Sequence, residues 1–275
     1  MPAGRRQSST GDQGTPRKRF GQNFLTDTGA IRRIVAALDP APGENVLEIG
    51  PGRGALTGEI LNAATAMSAV EIDRDLASRL RSRYPEDRLR LIVDDVKAVS
   101  FEDLAAPGPL VLVGNLPYNI SKPVAMKIVL AHRYVRRAVL MFQREVALRL
   151  TAQPGTSDYG PLTVLAGHVF RIERLFDLPP GAFTPRPRVF SSVTRWLPLP
   201  TESLPEDVLP RLRAVLEAAF AHRRQTIGKN LRAAVPGGAA EAGSLLEAAG
   251  IDGGLRAAAV PPAGFTALAR LWPRV

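Results

Sequence analysis

The 275-residue chain contains no cysteine. That absence excludes disulfides, thiolate metal sites and a cysteine nucleophile together. Its three histidines, His132, His168 and His222, are well separated and in no ligand spacing, so no metal site is predicted and each reads as an ordinary surface or packing residue. There is no apolar run long enough to cross a bilayer and no apolar signal segment near the N-terminus, which leads to the expectation of a soluble, cytoplasmic protein. Acidic residues are also in deficit, with 26 Asp+Glu against 36 Lys+Arg and a formal charge of +10. A polyanion is the natural partner of such a surface, and nucleic acid is the commonest. A solubilising surface biased toward Arg, in a chain also rich in Ala, Gly and Pro, would carry the same sign.

What is present is globular: 45% of residues are hydrophobic and 23% charged, over a length that suits one large domain or one domain with a small appendage. Residues 1–16 are Gly, Ser, Gln, Thr and Arg without apolar periodicity and are expected to form a disordered basic tail. Asp27 to Leu38 reads as an amphipathic helix with Ile31, Ile34, Val35 and Leu38 on one face. From Asn45 apolar strands alternate with helices. Strands are predicted at Asn45–Gly50, Ser68–Asp73, Leu89–Asp94, Leu110–Gly114, Arg137–Phe142, Val169–Leu178 and Val189–Leu197, and helices at Ala55–Ala64, Asp75–Arg83, Pro123–Ala131 and Glu145–Thr151. Such alternation argues for an α/β fold with a helix-covered sheet whose ligands sit at the carboxyl ends of the strands. Pro198–Pro205 reads as a linker, and residues 201–275 as a small helical domain. Within the latter, His222 to Arg232 (HRRQTIGKNLR) is either a solvated helix face or a phosphate-contacting patch carried by Arg223, Arg224 and Lys229.

Chemistry gathers at the strand ends. The first strand runs into PGRGALT, placing Gly50, Gly52 and Gly54 at a strand-to-helix turn where backbone approaches a ligand closely and a helix offers free N–H groups. Gly50, Gly52 and Ala55 also fit the spacing of dinucleotide-binding proteins, so this loop alone leaves a nicotinamide or flavin cofactor open. Glu71 ends the second strand, where ribose hydroxyls would be received under either reading. Asp95, at the end of the third, suits an adenine amino group, and no second nucleotide-binding half is evident. Gly50, Glu71 and Asp95 together therefore point to S-adenosylmethionine.

The chain is organised around Pro109 to Ser121 (PLVLVGNLPYNIS), in which a buried strand stops at Asn115-Leu116-Pro117-Tyr118. Proline holds the preceding residue extended, which turns the Leu116 carbonyl outward. The Asn115 amide oxygen, that carbonyl and the Tyr118 ring together suit a planar group with an exocyclic amine, such as adenine. A turn punctuated by Pro and Asn is the alternative reading of these four residues.

Seven stretches, GQNFL (21–25), EIGPGRGALT (48–57), VEID (70–73), NLPYNIS (115–121), FQREVALRL (142–150), DYGPLTV (158–164) and PPGAFTPRPRV (179–189), occur in order and cover nearly all of residues 17–199. In them the chain resembles the small-subunit ribosomal RNA adenine dimethyltransferases. The resemblance implies a Rossmann-like class I methyltransferase seven-stranded sheet over 17–199, a helical RNA-contacting domain over 201–275, and N6,N6-dimethylation of two adjacent adenosines near the 3′ end of small-subunit (16S) rRNA, with a role in small-subunit biogenesis. By position it implies that Asn23 and Leu25 close over the methionine end of the cofactor and that Gly50 contacts it. Glu71 would hold the ribose and Asp95 the cofactor adenine, with Asn115 between cofactor and target. Tyr118 would stack on the target base and Phe183 approach its other face. Val96 and Lys122 depart from the pattern, and Lys122 would alter RNA contacts. The protein is expected to act as a monomer.

Two other readings share parts of these motifs. An erythromycin-resistance-type enzyme has the cofactor loop and an Asn-x-Pro-aromatic motif but modifies large-subunit RNA. A catalytically silent assembly or transcription factor could keep the fold, although intact Glu71, Asp95, Asn115 and Tyr118 argue for activity.

Overall fold

The computed structural model describes residues 22–200 and 208–273. The tail expected over 1–16, the start of the first motif and most of the linker lie outside the described residues.

At the centre lies a seven-stranded sheet built from β2 (Asn45–Ile49), β3 (Met67–Val70), β4 (Leu89–Ile92), β5 (Leu110–Asn115), β6 (Val135–Gln143), β7 (Phe170–Leu178) and β9 (Ser191–Pro198). The order is β4-β3-β2-β5-β6-β9-β7. β2 to β6 run parallel, and β9 lies antiparallel between β6 and β7. Leu110 to Val113 are sealed on both faces, which is why β5 reads as an unbroken apolar run rather than an alternating one. Chain order reverses between β2 and β5, and that switch point opens a crevice at their carboxyl ends.

Helices α2 (Ala55–Ala63), α3 (Arg74–Arg83), α4 (Phe101–Leu104) and α5 (Ser121–Leu130) lie in the crossovers, and α6 (Arg144–Leu150) follows β6. Helix α1 (Thr28–Leu38) buries Ile31, Ile34 and Leu38 as its periodicity predicts, and Asp27 caps it by accepting from the Ala30 amide at 2.9 Å. Preceding α1, β1 (Phe24–Leu25) pairs with β8 (Phe183–Thr184), so the N-terminal segment is stitched to the loop leaving β7.

Four features differ most from expectation. The second predicted strand stops at Val70 rather than Asp73, which puts Glu71 just past its end. A helix, α7 (Pro161–Val169), forms within and beyond DYGPLTV, where none is predicted. It is buried at Thr163, Val164, Leu165, Ala166 and Val169, so it carries no polar stripe from which a helical period could be read. Proline at its first position and the Gly160 amide, which donates to Thr163 Oγ1 at 3.2 Å, start it. The third predicted strand stops at Ile92 rather than Asp94, which puts Asp94 and Asp95 in a loop. The last strand begins at Ser191, leaving Val189 and Phe190 outside it.

Helices α8 (Val208–Ala219), α9 (Ile227–Arg232), α10 (Gly238–Ala248) and α11 (Pro262–Leu271) follow. Leu212, Leu216, Phe265 and Leu268 are fully buried in a cluster continuous with α5, α7 and one face of the sheet. The Tyr159 hydroxyl crosses that seam to donate to the Val260 carbonyl at 3.0 Å, and His168 on α7 bonds Thr266 on α11. The opposite face of the sheet is covered by α1 and α2 through Ile34, Leu38, Leu56 and Ile60.

Candidate active site

The crevice at the switch point is a cavity of about 330 Å³ that brings together Asn23, Leu25, Gly50, Glu71, Asp95, Asn115, Leu116 and Tyr118. These positions come from four strand ends and the N-terminal segment, so only the folded chain assembles them.

The glycine loop has a geometric cause. Gly50, Gly52 and Gly54 take φ of 69°, 58° and 80°, a region in which side chains are strained. Space is also withheld: a Cβ on Gly52 would lie 3.1 Å from the Phe24 ring and one on Gly54 2.8 Å from the Leu80 side chain. Gly54 caps α2 without a side-chain bond, and the first-turn residues Ala55 and Leu56 line the crevice. The donor set fits an adenosyl group bearing a carboxylate and an amine: backbone N–H at the loop, carboxylates on the neighbouring strand ends, and apolar walls.

Those carboxylates sit in different environments. Glu71 is buried, and accepts from the Gly52 amide at 3.0 Å and the Asp73 amide at 2.9 Å. Burial raises its pKa despite those bonds. Glu48, beneath the loop, is 1% exposed and accepts from Thr57 Oγ1 at 2.6 Å. Burial, together with the nearby Glu71 charge, pushes it up to about 7. Asp95 is half-exposed and holds its own loop, accepting from the Lys97 amide at 2.9 Å and pairing with Lys97 Nζ at 3.2 Å.

On the other side, Asn115 ends β5 and its Nδ2 donates to the Asn23 carbonyl at 2.9 Å. The amide is thereby oriented with Oδ1 as the end left to accept. The Leu116 amide donates to the Met141 carbonyl at 3.3 Å, so β6 anchors the loop, and the Pro117 carbonyl accepts from the Ile120 amide and Ser121 Oγ. The Tyr118 hydroxyl bonds Ser191 Oγ at 3.0 Å, fixing the ring at the rim.

Phe183 is not brought to the crevice. Its ring is 2% exposed, packed in the cluster with Leu25, Ile34 and Val193. Pairing of Leu25 with Phe183 in the β1–β8 ribbon leaves the ring on the core side, so the expectation that it approaches the second face of a base is corrected: Phe183 supports the segment that carries Leu25. Val96, a departure from the family pattern, is buried and helps line the crevice.

Among the cations, Lys122 is exposed at the start of α5, near Tyr118, where the two share a smaller cavity. Arg223, Arg224 and Lys229 lie exposed on the helical layer. Arg223 also has an internal task, because its guanidinium donates to the Ser157 carbonyl at 2.7 Å and the Tyr159 carbonyl at 2.9 Å.

Sequence reasoning missed three crevice residues. Phe24 closes over Gly52, with the Arg53 guanidinium 4.3 Å from its ring centre. Ile72 exposes an apolar side chain directly after Glu71 and lines the crevice. Gln22 reaches the Asp73 carboxylate at 3.2 Å. Phe24 and Gln22 lie in the GQNFL stretch, where only Asn23 and Leu25 are singled out, and an apolar residue between two acids was the available sign for Ile72.

The strand order, the antiparallel insertion of β9 and the glycine loop with its strand-end acids define a Rossmann-like class I methyltransferase. The family model of ribosomal RNA adenine dimethylase matches residues 14–271. The chain belongs to that family. It is 45% identical to ribosomal RNA small subunit methyltransferase A of Aromatoleum aromaticum, over 92% of each chain. With the protein of the same name from Acidobacterium capsulatum it shares 43% identity, over 94% of this chain and 91% of that one. A dimethyladenosine transferase from Plasmodium falciparum has the same fold, with a TM-score of 0.76 at 24% identity over 89% of this chain and 95% of that one. The 23S rRNA methyltransferase ErmE follows it with a TM-score of 0.67 at 28% identity, over 90% and 98%.

Proposed function

We propose that this protein is an S-adenosylmethionine-dependent enzyme that dimethylates N6 of two adjacent adenosines in the 3′-terminal hairpin of small-subunit (16S) ribosomal RNA, during assembly of that subunit. The observation that carries the reading to adenine is the Asn115 amide, held by Asn23 so that its oxygen is offered to the crevice beside the Tyr118 ring.

The cofactor, when bound, supplies a methyl group on a sulfonium. The glycine loop of Gly50 to Gly54 and the closing segment of Asn23 and Leu25 hold its methionine end, Glu71 its ribose and Asp95 its adenine. An adenine N6 lone pair is delocalised into the ring and is a poor nucleophile. Asn115 Oδ1 and the Leu116 carbonyl accept the N6 hydrogens and draw the amine out of conjugation, while Tyr118 stacks on the base. Stacking contributes about 1–3 kcal/mol per base, comparable to the cost of unstacking it from a hairpin. Attack of N6 on the methyl would break the carbon–sulfur bond and leave S-adenosylhomocysteine, and the acidic ammonium formed on N6 would give its proton to water, so that alignment rather than a general base carries most of the rate.

The exposed cations Lys122, Arg223, Arg224 and Lys229 engage RNA phosphates, with the helical segment from 208 onward acting as the RNA-contacting unit. The enzyme works as a monomer in the cytoplasm without a metal ion. Among the described residues no helix is long and apolar enough to cross a membrane.

The test is methyl transfer from labelled S-adenosylmethionine to small and large ribosomal subunits stripped of their natural methylation, with the modified base mapped. Dimethyladenosine at adjacent positions near the small-subunit 3′ end is expected. Label on the large subunit would hand the case to the resistance-type chemistry, and tight binding without label to an assembly factor.

A further inference from the structure

Phe190 is the most exposed large apolar side chain among the described residues, at 48%, and its neighbour Val189 is 43% exposed. Most large apolar side chains of the described residues are buried, and these two are exposed side by side. Their position is fixed. The Phe190 carbonyl accepts from the Arg144 amide at 2.9 Å, holding the residue against the end of β6. One peptide further on, Ser191 bonds the Tyr118 hydroxyl at 3.0 Å. The Phe190 backbone therefore lies one residue from the group that anchors Tyr118 at the rim of the crevice.

Charge states the occupant. Arg186 and Arg188 are exposed on the same loop, and Arg144 is exposed beneath it. An aromatic ring set among cations is a composition that binds single-stranded nucleic acid, phosphates meeting the cations and a base meeting the ring. Arg144 is paired with Asp177 at 3.2 Å, so Arg186 and Arg188 are the exposed cations of the loop that face a strand's phosphates.

We propose that Phe190 is a stacking wedge for the nucleobase that flanks the target adenosine in the RNA strand, occupying the gap left in the stack when the target is turned into the crevice. Apolar side chains inserted between bases are an established means of stabilising an unstacked step in nucleic acids. The proposal rests on the RNA-methylating function above and adds a residue that senses the neighbour of the target rather than the target itself.

The test uses the full chain on methyl-free small ribosomal subunits, comparing wild type with Phe190→Ala, Phe190→Leu and Phe190→Trp, together with S-adenosylhomocysteine binding. Loss of one stacked base corresponds to about a five- to 150-fold effect. Phe190→Ala is expected to raise KM for the subunit by that factor with unchanged S-adenosylhomocysteine affinity. Trp is expected to restore it and Leu, apolar but not flat, to fail. Wild-type KM and kcat in Phe190→Ala, or equal rescue by Leu and Trp, would overturn the wedge while leaving methyl transfer by the wild type intact. Absence of transfer by the wild type would instead remove the function on which the wedge rests.

Discussion

Asn115 Nδ2 donates to the backbone carbonyl of Asn23 at 2.9 Å, joining the end of the central strand to the segment that closes the crevice. The bond decides which end of the amide faces the substrate. Asn115→Ala removes the acceptor and is expected to lower kcat by on the order of a hundredfold or more, in line with loss of one preorganised polar group at a reacting centre. Asn115→Asp keeps an acceptor but sets a carboxylate oxygen against the Asn23 carbonyl, so it should also fail. Single-turnover methyl transfer, with cofactor affinity measured alongside, checks both, and wild-type turnover in either variant would refute the acceptor role.

Tyr118 presents a ring through a hydroxyl tether to Ser191 Oγ. Ring and tether separate by substitution. Tyr118→Ala should cost about 1–3 kcal/mol of target-base engagement, whereas Tyr118→Phe, which retains the ring, should fall by only a few-fold at most. Equal losses in kcat/KM for the two variants would mean that the hydroxyl, not the stacking face, is what matters.

The three cations of the helical layer are not equivalent. Arg224 and Lys229 are exposed, and replacing either with Ala is expected to lessen the slope of log affinity for RNA against log salt by about 0.7–0.9. Arg223 is tied to the Ser157 and Tyr159 carbonyls, so Arg223→Ala should in addition lower stability, by about 1 kcal/mol. Salt titration of RNA binding and urea unfolding distinguish these effects. An unchanged slope in the Arg224→Ala, Lys229→Ala double variant would make that face a merely solvated one.

The legible parts of this chain are those in which one residue type meets one physical demand. Gly50, Gly52 and Gly54 had to be glycines because of their positive φ, and the apolar run of β5 had to be a sheet centre, so loop and strand could both be read directly. Helix α7 could not, because a helix buried nearly all round has the composition of a strand. The roles of Phe24 and Phe183 depend on pairing between segments about 160 residues apart, which no local pattern encodes. By the same ribbon, a phenylalanine to which the sequence assigns no role lines the crevice, and one that reads as functional is buried.

Glu48 offers a test of the electrostatics beneath the glycine loop. Its pKa in the folded chain, about 7, lies above the ordinary 4.5, chiefly because burial penalises the charged form. The folded state thus holds that proton more tightly than the unfolded one. The contribution to stability is full below pH about 4.5, declines as pH rises through about 7, and is level beyond, with a total change on the order of 3 kcal/mol. Glu48→Gln retains an oxygen that can accept from Thr57 and does not titrate. Its NH2, in place of the second carboxylate oxygen, adds a cost that does not titrate, so that cost cancels from the pH trend. Chemical denaturation of both proteins without cofactor, at pH about 5 and about 8, should therefore show the variant gaining on the wild type as pH rises. A stability difference that does not change over this range would mean that Glu48 is ionised in the folded protein, and that the neighbouring Glu71 carboxylate shares its site with a second negative charge.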